Sequence, residues 1–231
     1  MKISIRGPIV SSNQHRFYQW YGMEATSPKS VAEALASGNG ERAEVEINSG
    51  GGEIFAASEI YTALRNYAGG VHIRIVGLAA SAASIIAMAG ESEMTPTGMM
   101  MIHNVQTEAS GDYRQMEHTA GTLRDANHAI ISAYIAKTGK TEQEIAAMMD
   151  AETWVTAERA VELGLVDRVM QLDTGKKPLA ADFYSGMLSE DACKRAENFL
   201  KDQAAAPDFF MPERAQAEAK LKFLKLKGEL K

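Results

Sequence analysis

The stretch from Val76 to Gly90, VGLAASAASIIAMAG, is the most apolar in the chain and constrains the fold more than any other. Its 15 residues fall short of the ~20 that a membrane-spanning helix needs. Most of them are Ala, Ser and Gly, which allow close packing. The alternating segment Val71 to Val76 (VHIRIV), closed by Gly77, leads into it. The run therefore reads as the end of a buried strand followed by a core helix from Ser81 to Ala89. A strand that feeds directly into a buried helix is a building unit of layered α/β folds.

The flanking sequence repeats this alternation. Lys2 to Ile5 alternates polar and apolar and meets Gly7-Pro8, so it reads as a first strand. Ser27-Pro28 caps and opens a short helix through Ala36. Ala43 to Ile47 (AEVEI) is a second strand, running into Asn48-Ser49-Gly50-Gly51-Gly52. Ile54 to Tyr67 carries apolar residues at helical spacing, and Met99 to Ile102 reads as a buried strand. Asp112 to Lys137 is a long helical pattern that ends at Thr138-Gly139. Its apolar positions Met116, Leu123, Ala126, Ile130, Ile131 and Tyr134 form one broad stripe. Thr141-x-x-Glu144 is a capping box, Thr156 caps a further helix closed by Gly164, and Val166 to Met170 is a last strand. This order predicts an α/β domain over residues 1–172 with right-handed crossovers. Lys176-Lys177-Pro178 opens a linker, and residues 173–231 read as a helical C-terminal extension. Its second helix, Pro212 to Glu229, is basic and carries Leu221, Phe223, Leu224 and Leu226, suited to docking on its own domain or on a neighbour.

Composition narrows the function classes. Apolar residues make up 45% and charged residues 23%, the balance of a soluble globular protein. A net charge of −6 argues against a broad nucleic-acid surface. The single cysteine, Cys193, cannot form an intrachain disulfide and fits a reducing compartment. MKISIRGPIV has no apolar core of signal-peptide length, so a cytoplasmic protein without membrane contact is expected. The sequence contains nothing that calls for a metal or cofactor.

Three pieces share one chemical logic: Gly50-Gly51-Gly52 after a strand, Gly77-Leu78-Ala79-Ala80-Ser81-Ala82 at a strand-to-helix junction, and Met101-Ile102-His103 at a strand end. A serine hydroxyl needs a base to become a nucleophile. A helix start favours developing negative charge, and a glycine turn can aim a second N–H at the same point. Taken singly, each piece is ordinary: a helix cap, a loop, a structural histidine.

Together these residues resemble the ClpP-type serine peptidases, the Clp protease proteolytic subunit family. Among them the chain is similar to the divergent ClpP-like head-maturation proteases encoded by phages and prophages. INSGGG at 47–52 looks like the family's I-N-S-P-G-G, with Gly50 where the family has proline. GLAAS at 77–81 looks like G-Q-A-A-S, MIHN at 101–104 looks like M-I-H-Q, and ETWVTAERAVELGLVD at 152–167 looks like the closing segment. The resemblance implies a ClpP/crotonase-like repeated ββα spiral with a projecting handle helix at 112–137. It implies Ser81 as nucleophile, His103 as base, and the backbone N–H groups of Gly52 and Ala82 as oxyanion donors. By register the acid falls on Glu152, where the best-known members have Asp; Asp150 is the alternative. Polypeptide substrate would bind as an added strand beside Gly51 and the stretch from Val105 and Gln106 to Ser110.

The resemblance further implies a homo-oligomeric ring, stacked through the handle, and for a phage-type member capsid or scaffold proteins as partners. A core strand that begins at Lys2 leaves no N-terminal pore segment, which speaks against an ATPase partner. The aromatic segment Gln14 to Met23, with Phe17, Tyr18, Trp20 and Tyr21, departs from the family and is expected to pack in the core; a subunit or substrate surface is the alternative. An acyl-CoA enzyme of the related crotonase type would not need the Ser81–His103 pair. A Ser–Lys peptidase would need a lysine between Lys29 and Lys137, where none occurs. An inactive ring or scaffold protein remains the alternative from another class. Ser84 is the second choice of nucleophile.

Overall fold

The computed structural model describes residues 1–171. The linker and helical extension read at 173–231 lie outside the described residues.

The strands are β1 (Lys2–Arg6), β2 (Ala43–Ser49), β3 (Val71–Ala80), β4 (Glu91–Met94), β5 (Met99–Ile102), β6 (Thr153–Thr156) and β7 (Arg168–Val169). The helices are α1 (Ser12–Trp20), α2 (Pro28–Ser37), α3 (Ile54–Arg65), α4 (Ala82–Ala87), α5 (Tyr113–Thr138), α6 (Glu142–Asp150) and α7 (Ala157–Glu162). The predicted α/β class is thus observed. One seven-stranded sheet runs β1-β2-β3-β4-β7, with β5 and β6 branching from β3. All its pairings are parallel except β5 with β6.

The branch in β3 positions the site. The lower part of β3, His72 to Ile75, pairs with β4, and its upper part, Leu78 to Ala80, pairs with β5. Between the two parts the β2–β3 register slips. The Asn48 side chain fills the slip, with its Oδ1 accepting from the Leu78 N–H at 3.0 Å. A Cβ on Gly77 would lie 2.5 Å from that oxygen and would push the Asn48 amide out of place. β3 therefore extends past Gly77, where the sequence pattern ends it, and carries the chain to Ser81 beside the end of β5.

One face of the sheet is apolar. Ile3, Ile5, Val45, Ile47, Ile73 and Ile75 are buried on it together with Ile60 and Leu64 of α3 and Ile86 of α4. The capping boxes at Ser27, Asp112 and Thr141 all form, and Gly139 takes the left-handed C-cap conformation. α5 is 26 residues long. Its buried residues, Ile130, Ile131, Ala133 and Tyr134, all lie in the C-terminal half, and Tyr113 and Met116 are exposed.

The aromatic segment is corrected. It forms α1, which buries no residue. Phe17, Trp20 and Tyr21 are 52%, 66% and 69% exposed, so the segment does not pack in the core. Phe17, Tyr18, Trp20 and Tyr21 share one side of the helix at i, i+1, i+3, i+4 spacing, but that side is left largely uncovered.

Candidate active site

Ser81 joins β3 to α4 with φ 54° and ψ −127°, a conformation an L residue adopts only under constraint. Its N–H donates to Met101 O at 2.9 Å, which extends the β3–β5 ladder by one step. That step sets Ser81 beside the end of β5, from which His103 follows directly. The Ser81 hydroxyl and His103 Nε2 meet at 2.7 Å. For Nε2 to accept that proton, Nδ1 must carry the ring's own.

His103 Nδ1 is buried and has no hydrogen-bond partner among the described residues. An unpaired buried donor costs roughly 1–3 kcal/mol. The two candidate acids are engaged elsewhere: Glu152 Oε1 accepts from the Trp154 indole N–H at 3.2 Å, and Asp150 accepts from the Asn104 amide at 2.8 Å. The backbone nevertheless distinguishes them. β5 and β6 pair Met101 with Trp154 and Ile102 with Thr153, so the next step in register sets His103 opposite Glu152. Glu152 has φ 46°, a left-handed turn at the mouth of β6.

The glycine segment lies against Ser81. Ser49 Oγ donates to Gly7 O at 2.6 Å and accepts from the Gly51 N–H at 3.1 Å. Gly51 has φ 101°, and a Cβ there would lie 2.7 Å from Ser81 Cβ and 3.0 Å from Ala82 N. Gly52 has φ 148° and bridges to Ile9: Ile9 N–H donates to Gly51 O, and Glu53 N–H donates to Ile9 O, both at 2.8 Å. Because the residues flanking Gly52 make those bonds, its own N–H faces away from Ile9.

A cavity of about 690 Å³ opens on Ser81 and His103. One wall is Gly52 to Phe55, another is Val105 to Thr107, and the third is α5, from His118 to Ala126. The Val105 N–H donates to Asn127 Oδ1 at 2.7 Å, which ties the segment after His103 to α5. Thr119 and Thr122 give their hydroxyl protons to Gln115 O and His118 O in their own helix. Their methyls remain for the cavity, which makes the α5 wall more apolar than its sequence suggests.

Ser81, His103, Gly51, Gly52, Ala82, Val105 and Gln106 thus lie together as read from sequence, whereas the Glu152 and Asp150 carboxylates do not bond to His103. Ser84 is fully buried and donates to Ser81 O at 2.6 Å, which leaves it no access to a substrate. Thr119 and Asn127 escaped the sequence reading. They lie at helical spacing from Leu123, Ala126 and Tyr134, but being polar they fall outside the apolar stripe by which periodicity marks a buried helix face. Among the described residues, no helix is long and apolar enough to cross a membrane.

Fold and site define an α/β protein with a serine–histidine pair at a strand-to-helix turn, facing a cavity walled by a long helix. The sequence model of the Clp protease family matches residues 31–173, more than half of the chain, and the protein belongs to that family. It is similar to ATP-dependent Clp protease proteolytic subunit 1 of Protochlamydia amoebophila, 31% identical over 129 residues, 54% of this chain and 63% of that one. The corresponding subunit 1 of Streptomyces avermitilis is 30% identical over 158 residues, 66% of this chain and 73% of that one. The ATP-dependent Clp protease proteolytic subunit of Bacteroides fragilis is 28% identical over 134 residues, 57% of this chain and 65% of that one. The chain therefore spans less than two thirds of the length of two of these three relatives.

Proposed function

We propose that this chain is a serine endopeptidase. The observation that carries the reading is the 2.7 Å contact between Ser81 Oγ and His103 Nε2 at a strained strand-to-helix turn. Ser81 Oγ attacks the scissile carbonyl carbon while His103 Nε2 takes its proton. The negative charge on the carbonyl oxygen is met by the N–H groups of Gly52 and Ala82; each such donor contributes about 10²–10³ in rate. His103 then protonates the leaving amine, and the C–N bond breaks to leave an acyl-enzyme. Water, deprotonated by His103, attacks the ester; its collapse releases the new carboxylate and returns the proton to Ser81.

Glu152 is the acid of the proposed triad. The register across β5 and β6, which sets Glu152 opposite His103, favours it over Asp150, and the unpaired Nδ1 of His103 leaves a place for an acid. On substrate binding, its side chain exchanges the Trp154 indole for His103. Extended polypeptide lies as a strand between Gly51 and the stretch from Val105 and Gln106, with a side chain in the cavity against Phe55 and Leu123. The exposed N-terminal half of α5 supports a homo-oligomeric ring. The substrate of a phage-type member would be capsid or scaffold protein, and the single cysteine fits a cytoplasmic setting.

A second reading, a proteolytic subunit that works with an ATPase, draws on the names of its relatives. The two readings separate in one assay: hydrolysis of an unstructured polypeptide without ATP, by wild type and variants. The peptidase reading expects cleavage by wild type and none by Ser81→Ala. Glu152→Gln should lower kcat by roughly 10³–10⁴, as loss of a triad acid does, and Asp150→Asn far less. The reverse order would move the acid to Asp150. Cleavage that appears only with an ATPase would favour the second reading. A Ser81→Ala protein as active as wild type would rule out Ser81.

A further inference from the structure

This inference rests on the peptidase reading of Ser81 and asks what holds its turn in place. Ser81 is a non-glycine residue at φ 54°. Such a conformation costs roughly 1–3 kcal/mol and persists only where the surroundings impose it. On one side, the Ser81 N–H is tied to Met101 O. On the other, its carbonyl accepts twice from one residue, from the Ser84 N–H at 2.9 Å and from the Ser84 hydroxyl at 2.6 Å.

A hydroxyl has a single proton. Having given it to Ser81 O, Ser84 Oγ can only accept, so the Tyr134 hydroxyl at 2.7 Å must be its donor. Both side chains are sealed from solvent, with Ser84 0% and Tyr134 1% exposed; Ser84 lines no cavity, and Tyr134 borders only a recess of about 10 Å³ behind Ser81 and His103, too small for a substrate group. Burial pushes the Tyr134 phenol well above its usual range, so it stays protonated and able to donate. Tyr134 belongs to α5, the helix that also forms a cavity wall and ties down Val105 through Asn127.

We propose that Tyr134 and Ser84 form a buried relay, Tyr134 O–H to Ser84 Oγ and Ser84 O–H to Ser81 O, that fixes the nucleophile's turn and so aims Ser81 Oγ at His103. They are positioning residues, since neither touches substrate. Through them one helix sets the cavity wall, the segment after His103 and the nucleophile together.

The test is a double-mutant cycle read by steady-state hydrolysis of a fluorogenic peptide, with thermal unfolding and oligomeric state measured alongside. Ser84→Ala should lower kcat by roughly 10–100-fold, the order expected for a misaimed reacting group. KM should not move. Tyr134→Phe should lower kcat by a smaller factor. The double variant should match Ser84→Ala alone, because Tyr134 acts through Ser84. Val31→Ala, a buried α2 change remote from the relay, should lower thermal stability and leave kcat unchanged. If Ser84→Ala does not fold, Tyr134→Phe decides alone. Wild-type kcat in both folded single variants would overturn the relay and leave the peptidase reading standing. So would multiplicative effects in the double variant, or a rise in KM in place of a fall in kcat. A wild type that cleaves nothing would remove both readings.

Discussion

Gly51 shows how little room Ser81 has. Its φ of 101° is costly for any L residue, and an added Cβ would press on Ser81 Cβ at 2.7 Å and on Ala80 O at 2.8 Å. Neither contact can yield cheaply, because one is the first side-chain carbon of Ser81 and the other is backbone. Gly51→Ala should therefore lower kcat by roughly tenfold or more through displacement of Ser81. Gly50 has open space around its Cα and an ordinary φ. Gly50→Ala should leave kcat within about twofold of wild type, as changes with no structural contact usually do. Equal losses at both positions would show that the segment needs flexibility and not closeness. The Ser81–His103 contact was legible at this scale because a strand-to-helix serine and a strand-end histidine carry recognisable motifs. The state of the acid was not legible, since a carboxylate's rotamer depends on competitors such as the Trp154 indole, which sequence order does not rank.

Among the elements, α5 has the most consequences. Asp112 caps it by accepting from the Arg114 and Gln115 N–H groups, and Gln115 Oε1 accepts in return from the Asp112 N–H. Loss of such a cap costs typically about 1 kcal/mol. Asp112→Ala should lower the melting temperature and raise KM more than it lowers kcat, because the fraying end of α5 carries His118 and Thr119 of the cavity wall while Tyr134 lies at the far end. Circular dichroism melts and peptide kinetics check both parts; a fall in kcat alone would contradict this division of labour. The long elements were readable from periodicity and caps, and α2, α3, α5 and α6 lie where predicted. β4 (ESEM) and β6 (TWVT) were not, since four residues with little alternation become strands only when β3 and β5 offer them edges. α1 was missed for a different reason: its aromatics suggested a core, and nothing local reveals that a helix is left uncovered.

At the scale of the whole molecule, the parallel sheet is covered by helices on one face and carries an ion-pair ladder on the other. Lys2, Arg6 and Arg74 meet Glu46; Arg74 and Arg168 meet Glu93; Arg168 and Arg42 meet Glu91. Hydrogen bonds from Arg168 and then Arg42 hold the Glu91 carboxyl down at about 2, against an ordinary value of 4.5. Burial works against the charge of Asp167, but hydrogen bonds from Lys137 and Ser92 outweigh it and hold that carboxyl low as well. A carboxyl held low in the fold stabilises fully above its unfolded value and loses that stabilisation as the pH falls towards its folded value. Thermal stability should therefore drop between pH 4.5 and about 2, and Glu91→Gln should flatten part of that drop. Parallel profiles for the two proteins would show that the ladder contributes nothing. The central claim is that Ser81 is an activated nucleophile, and reaction with a fluorophosphonate tests it most directly. Intact-mass and peptide-mapping analysis should find one adduct per chain, on Ser81 in wild type, with none in Ser81→Ala or after denaturation. No adduct on the folded wild type, or equal labelling of Ser81→Ala, would contradict the account.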